Sequence, residues 1–365
     1  MKAAIFSSVP YMGPAPRNVW PVPVQDFALE VGQRSFESSL EQFELADQLG
    51  FDWVTVAEHH YAPLSLTPNP MVMAGALTQR VKRASIALLG PDLPILNPLR
   101  VAEEFAMLDM LTGGRVIAGL MRGTSNEYVT YGINPAESRE RFQEALELLI
   151  RAWTEPQPFG WQGRYYEYRA VSVWPRPVQT PHPPIFVSGS SPESGELAAK
   201  NHLSVGFAFT TLPFATKAVQ YYREQAAEAG WQPTPDDVVY RLAIHVAETD
   251  QQARENLLAA GAAERRGGLS TANRALDEAA ASAGYYGRDS QTQRERLQTH
   301  DFDERITLGQ LLVGSPETVV GQIQAIGEEL GCGVLDLIFL PTTRDKTLKS
   351  IELFGTQVLP RIREL

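Results

Sequence analysis

Two rhythms of apolar and polar residues alternate along the chain. Short apolar runs predict strands near residues 2–8, 52–58, 84–89, 116–121, 184–188, 203–209, 238–247 and 335–340. Between them, apolar residues recur every three to four positions. That spacing predicts helices with one buried face near 35–49, 70–79, 98–111, 136–153, 193–201, 214–229, 250–262, 316–330 and 344–357. Eight strands alternating this evenly with helices predict an α/β chain folded as a (β/α)8 TIM barrel. A doubly wound open sheet is the rival, but it more often uses five or six strands. The even spacing leaves little room for a domain boundary, so one domain over residues 1–365 is expected.

Three segments interrupt the rhythm. The first, "VPYMGPAPRNVWPVPVQDFALE" at residues 9–30, follows strand 1 and mixes proline with Tyr11, Trp20 and Phe27. The second, residues 155–184, precedes strand 5 and is also rich in aromatics and proline. The third, residues 264–306, follows strand 7 and is polar and poorly periodic. Long loops in compact domains more often serve function than not. In a barrel, segments that follow strands sit over the mouth that holds the site. The first and third are therefore candidate lids.

Composition narrows the partners. The 365 residues are 44% hydrophobic and carry a formal charge of −11, which disfavours nucleic acid and anionic lipid surfaces. A lone cysteine, Cys332, excludes an internal disulfide and a thiolate metal cluster. The opening "MKAAIFSSVP" is too short an apolar run for a signal peptide or a membrane span, so a cytoplasmic protein is expected.

Candidate chemistry clusters where strands end. In "DWVTVAEHHYAP", strand 2 delivers Glu58, His59 and His60 to the edge of the core. Adjacent strand residues point opposite ways, so at most one imidazole continues the inward direction and can act as acid, base or donor. The plainer alternative buries one histidine against Glu58 and exposes the other. After strand 4 come Met121, Arg122, Gly123 and Thr124, where an arginine beside glycine and hydroxyls suits a phosphate, or pairs with Glu127. Strand 5 ends in Ser188-Gly189-Ser190-Ser191 before a helix opening at Pro192, which is either an anion cradle or an ordinary N-cap. Strand 3 ends at Gly90-Pro91, where glycine allows a planar group close to the backbone or simply forms a turn. Adjacent histidines without spaced partners do not suggest a metal site.

Taken together, "GFDWVTVAEHHY", "NPLRVAEEFAMLDMLTGGRVIAGLMRG", "RFQEALELLIRAW", "PPIFVSGSSPES" and "VGSPETVVGQIQAI" resemble the luciferase-like flavin-dependent monooxygenases, the family of bacterial luciferase. The resemblance covers nearly the whole chain except the three insertions, of which residues 264–306 correspond to the family's mobile loop, which implies a mobile lid there. It implies a barrel that binds reduced FMN at its carboxyl face, with the flavin supplied by a separate reductase. It implies that His59, with its neighbour His60, stands near the flavin, that Arg122 holds the phosphate, and that Met121 lies under the ring. Ser190, Ser191 and Ser194 match residues on the phosphate side, although Ser190 stands where luciferase has a glutamate. Gly90 matches the strand whose backbone approaches the ring, a segment that often carries a non-prolyl cis peptide in the family.

The implied activity is oxygenation of a small, apolar organic substrate by reduced FMN and O2 through a C4a-peroxyflavin. Tyr11, Trp20, Phe27 and Tyr128 are candidates for the pocket wall. Three alternatives stand beside it. One is hydride transfer with the deazaflavin F420, and another is a flavin-binding protein without turnover. A barrel lyase is the third, disfavoured because Lys82 and Lys200 are poorly placed for a Schiff base. The family also implies a homodimer joined through helices near strands 2 to 4. Met71, Met73, Ala74 and Leu77 could face a partner there, or pack on the barrel.

Overall fold

The computed structural model describes residues 1–16, 19–261, 271–286, 290–298 and 300–365. Its strands are β1 (Lys2–Phe6), β2 (Trp53–Val56), β3 (Ser85–Asp92), β4 (Val116–Met121), β5 (Phe159–Gln162), β6 (Glu167–Val171), β7 (Ile185–Ser188), β8 (Ser204–Ala208), β9 (Val238–Val246), β10 (Leu311–Gly314) and β11 (Val334–Phe339). Eight of them close a parallel ring in the order β1-β2-β3-β4-β7-β8-β9-β11, with β11 returning to β1. The ring is the expected (β/α)8 barrel. Short β10 pairs with the upper half of β9, from Ala243 to Val246, above the stretch that β8 occupies.

Period-2 alternation divides the strand residues between two cores. Val54, Val56, Ile86, Leu88, Leu120 and Val187 face outward into the layer shared with the helices. Ala4, Trp53, Ala87, Leu89, Ile117, Phe186, Val239 and Val334 fill the barrel interior, with Met121 packed on them from above. Higher in the lumen, Thr55 of β2 and Arg241 of β9 both hydrogen-bond the buried carboxylate of Asp336 on β11, at 2.6 Å each. Strands β2 and β9 are not neighbours, so they meet only across the interior.

All eight expected strands form, with ends shifted by a few residues. Strand β3 runs on to Asp92, which pairs with Met121, because Gly90 and Pro91 stay extended rather than turning. A Cβ on Gly90 would lie 2.6 Å from both the Cα of Ala57 and the N of Glu58, so this glycine lets β3 pass close to β2. Those are backbone atoms and cannot move aside. Gly90→Ala will therefore destabilise the fold by about 1–3 kcal/mol in a denaturant titration, and a value near zero would show that the strands have slack.

Several expectations are corrected. The three cis peptides among the described residues all precede proline, at Pro21, Pro175 and Pro181, so the β3 segment carries no non-prolyl cis bond. Met71, Met73, Ala74 and Leu77 are buried against the barrel, and the helix Pro70–Arg80 shows only Val72 to solvent as a large apolar group. The first insertion is partly helical, because the helix expected at 35–49 begins at Leu29. The second contains the β5–β6 hairpin. Within the third, the helices Thr271–Ser282, Ser290–Leu297 and Phe302–Thr307 form, while residues 264–270, 287–289 and 299 lie outside the described residues.

Candidate active site

Strand β2 ends one residue before Ala57, and the chain then splits its two imidazoles. His60 turns into the protein and is 4% exposed, its Nε2 3.0 Å from Glu58 Oε1. The other oxygen of Glu58 accepts the backbone N–H of Asp92 at 3.2 Å, which ties β2 to the end of β3. The indole N–H of Trp20 in the first insertion donates to the carbonyl of His60 at 3.1 Å. His59 stays half-exposed, with Nδ1 3.2 Å from Glu127 Oε1. The plainer sequence alternative thus describes His60, and His59 is the imidazole left at the mouth.

Glu127 belongs to the short helix Ser125–Tyr131, which follows β4. Its second oxygen accepts from the N–H of Thr124 at 2.9 Å and from the Thr124 hydroxyl, closing a capping box. Burial pushes this carboxyl up. The hydrogen bond and charge of His59 and the two bonds from Thr124 outweigh that penalty and hold it at about 2. A carboxylate so placed fixes the proton on Nδ1 of His59 and presents Nε2 for chemistry. Asp92 is the opposite case. Fully enclosed, with Glu127 and Glu58 nearby and no partner for Oδ2, its carboxyl is pushed well above the usual range.

The sign of the Glu127 shift gives a pH dependence. Its folded pKa lies below its unfolded value of 4.5, so it stabilises the fold above pH 4.5 by about 3 kcal/mol. That contribution is lost as pH falls through about 2. Glu127→Gln will therefore be less stable than wild type at pH 7, with the gap narrowing towards pH 2, in paired thermal unfolding curves. A constant gap would mean that the carboxylate is not the source.

The phosphate-side residues lie on adjacent strands, because Leu120 of β4 pairs with Val187 of β7. Arg122, Ser188, Ser194, Glu193 and Arg139 line a cavity of about 30 Å³, floored by the apolar side chains of Phe142 and Leu197. Ser194 thus joins Arg122, as the resemblance implies. Ser191 is buried and caps the helix Pro192–Lys200, taking the N–H of Ser194 at 3.2 Å and meeting its hydroxyl at 2.8 Å. The hydroxyl of Ser188 reaches Ser190 at 3.4 Å. Arg139, unnoticed in the sequence, faces Glu193 at 3.4 Å and brings a second guanidinium to the cavity.

Described residues of the third insertion are seated on these groups. Arg122 donates to the carbonyl of Tyr285 at 2.9 Å and lies over its ring at 3.9 Å, while the Tyr285 hydroxyl donates to Gly123 at 2.6 Å. Thr292 donates to the carbonyl of Ser190 at 2.8 Å. Glu295 accepts from Thr210 at 3.1 Å and from the backbone of Thr211 at 2.8 Å. Tyr128 is buried beneath Tyr285 and Tyr286, so it supports this segment instead of walling a pocket. Glu127 therefore engages His59, not Arg122, and Arg122 is held by the insertion.

No helix among the described residues is long and apolar enough to cross a membrane. The model of the luciferase-like monooxygenase family matches residues 19–332. The 4-hydroxyprotoasukamycin monooxygenase of Streptomyces nodosus is 26% identical over 88% of this chain and 85% of that protein. The chain spans about half the length of some other relatives. Among them are the oxygenase component of a flavin-dependent trigonelline monooxygenase of Acinetobacter baylyi, 27% identical over 47% of this chain and 48% of that protein, and an F420-dependent glucose-6-phosphate dehydrogenase of Microbacterium testaceum, 30% identical over 45% and 53%. Of solved structures, the monooxygenase RslO1 of Streptomyces bottropensis superposes with a TM-score of 0.79 at 27% identity, over 99% of this chain and 100% of that one. The oxygenating constituent of 3,6-diketocamphane monooxygenase of Pseudomonas putida, in complex with FMN, shares the fold at 0.77 and 21%, over 99% and 98%.

Proposed function

The chain belongs to the luciferase-like monooxygenase family, and from that premise we propose that it oxygenates a small organic molecule using reduced FMN, O2 and a separate flavin reductase. The observation that carries a phosphate-bearing flavin is the pairing of Arg122 and Arg139 with Ser188 and Ser194 around one cavity. Two guanidinium groups and hydroxyls at a helix N-terminus are a donor set for a phosphate. Glu193 opposes an anion there, and Arg139 is its neighbour, so seating a phosphate requires both arginines to turn from their present partners.

In this reading Arg122, Arg139, Ser194 and the backbone after Ser190 hold the phosphate, Met121 supports the ring, and Gly90 lets β3 carry its backbone to the mouth. His59 moves one proton at Nε2 while Glu127 holds Nδ1. His60 acts through Glu58 as a positioning residue. The reduced flavin, when bound, supplies the electrons that activate O2. The third insertion excludes water from the mouth as a lid. Equilibrium binding of FMN, riboflavin and F420 tests the assignment: FMN will bind most tightly, and stronger binding of F420 would favour hydride transfer instead.

The proposal extends to a homodimer. Val72 is 72% exposed, and Met107, Met110 and Leu111 on the adjacent helix Pro98–Thr112 are each more than half exposed. Such a patch is costly to leave in water. Met107→Lys with Leu111→Lys will convert a dimer into a monomer in light scattering at unchanged Tm, whereas a monomeric wild type removes the proposal.

A further inference from the structure

One group in the phosphate cavity works against a phosphate. Glu193 is the second residue of the helix Pro192–Lys200, where a carboxylate suits the positive end of the helix dipole. Solvent alone would satisfy such an acid. This one turns instead to Arg139, at the start of the helix Ser138–Thr154, with Oε2 3.4 Å from Nη1. That oxygen is sealed from solvent and takes no hydrogen bond among the described residues. The carboxylate and a phosphate in this cavity call on the same guanidinium. At about 30 Å³ the cavity has room for a water molecule or two, so the oxygens of a phosphate enter only after the carboxylate leaves. The Glu193 side chain is 37% exposed, so it borders the water into which it can swing.

We propose that Glu193 is an internal anion that competes with the flavin phosphate for Arg139, and that it holds flavin affinity low enough for the cofactor to exchange with the reductase in every cycle. Two effects act together. Arg139 must give up one charged partner before it gains another, so its net contribution to holding the cofactor shrinks. The displaced carboxylate stays tethered to the first turn and repels the phosphate from a few ångströms away. Neither effect acts on the isoalloxazine ring, so the penalty falls on phosphate-bearing ligands alone. Arg122 differs, because its present partner is the neutral carbonyl of Tyr285, which adds no repulsion. An oxygenase that receives reduced flavin and returns it oxidised needs fast release, since a cofactor that stays bound blocks the next one. That benefit rests on the proposed oxygenase reading; the competition for Arg139 does not.

Glu193→Gln removes the charge and keeps the shape, and Glu193→Ala repeats the test with no group left to pair with Arg139. Each folded variant will bind FMN about 10- to 100-fold more tightly than wild type, with correspondingly slower release in stopped-flow fluorescence, and will bind riboflavin with unchanged affinity. Inorganic phosphate alone will raise the Tm of the flavin-free variants more than that of wild type. In an Arg139→Gln background most of the gain in FMN affinity will vanish. Equal or weaker FMN binding, the same gain for riboflavin, or a gain undiminished without Arg139 would each overturn the proposal. If no form of the protein binds flavin while phosphate still stabilises the variants more than wild type, the oxygenase reading fails and the competition stands.

Discussion

Replacing His59 with alanine will lower turnover by about 10²–10⁴-fold, the usual reach of a positioned acid or base, and will leave FMN affinity within a few-fold of wild type. The imidazole sits on the mouth side of β2, while the phosphate donors lie on β4 and β7, so the two losses are separable. Glu127→Gln will reproduce part of the turnover loss, because it removes the carboxylate that orients Nδ1. His60→Ala will behave differently. It empties a buried site and leaves Oε1 of Glu58 without its imidazole partner, so it will cost stability first. Product formation by His59→Ala at the wild-type rate, with flavin reoxidation unaltered, would remove the imidazole from the chemistry.

Arg122→Ala will weaken FMN binding by about 10- to 100-fold, since hydrogen bonds to charged groups contribute roughly 1.5–3 kcal/mol, and will leave riboflavin binding unchanged because riboflavin has no phosphate. Arg122→Lys will recover only part, as an ammonium cannot reproduce the fork. The same substitution also removes the donor that holds the carbonyl of Tyr285 and the cation over its ring. The third insertion will then loosen, which hydrogen exchange over residues 271–286 will report as faster amide exchange. Equal loss of FMN and riboflavin would mean that Arg122 serves the ring or the fold and not the phosphate.

How much of this was legible in the residues varies by element. Strand β4 reads directly from "RVIAGLM" because a strand buried on both faces has no reason to be polar anywhere. Strand β10 does not, since its four residues, "LLVG", sit at the end of a polar segment and run straight into the next helix. The helix from Leu29 was missed at its start because Leu29, Glu30 and the residues near them are exposed and leave no buried stripe. Arg122 and the serines were visible because they follow strands in the local sequence. Arg139 was hidden on a helix face, and its nearness to Arg122 depends on how that helix packs across β4 and β7.

What the chain determined alone is therefore the local grammar. Apolar runs mark the strands, their order predicts a closed ring, and adjacency alone leads one to expect that at most one of His59 and His60 faces inward. Only the tertiary structure decided which histidine turned inward and what met it. Glu127 reaches His59 across 68 residues of sequence, and Asp336 joins Thr55 across 281. The physical reason is that hydrogen bonds and burial act over a few ångströms of space, and closing the barrel brings together strand ends that no spacing along the chain relates.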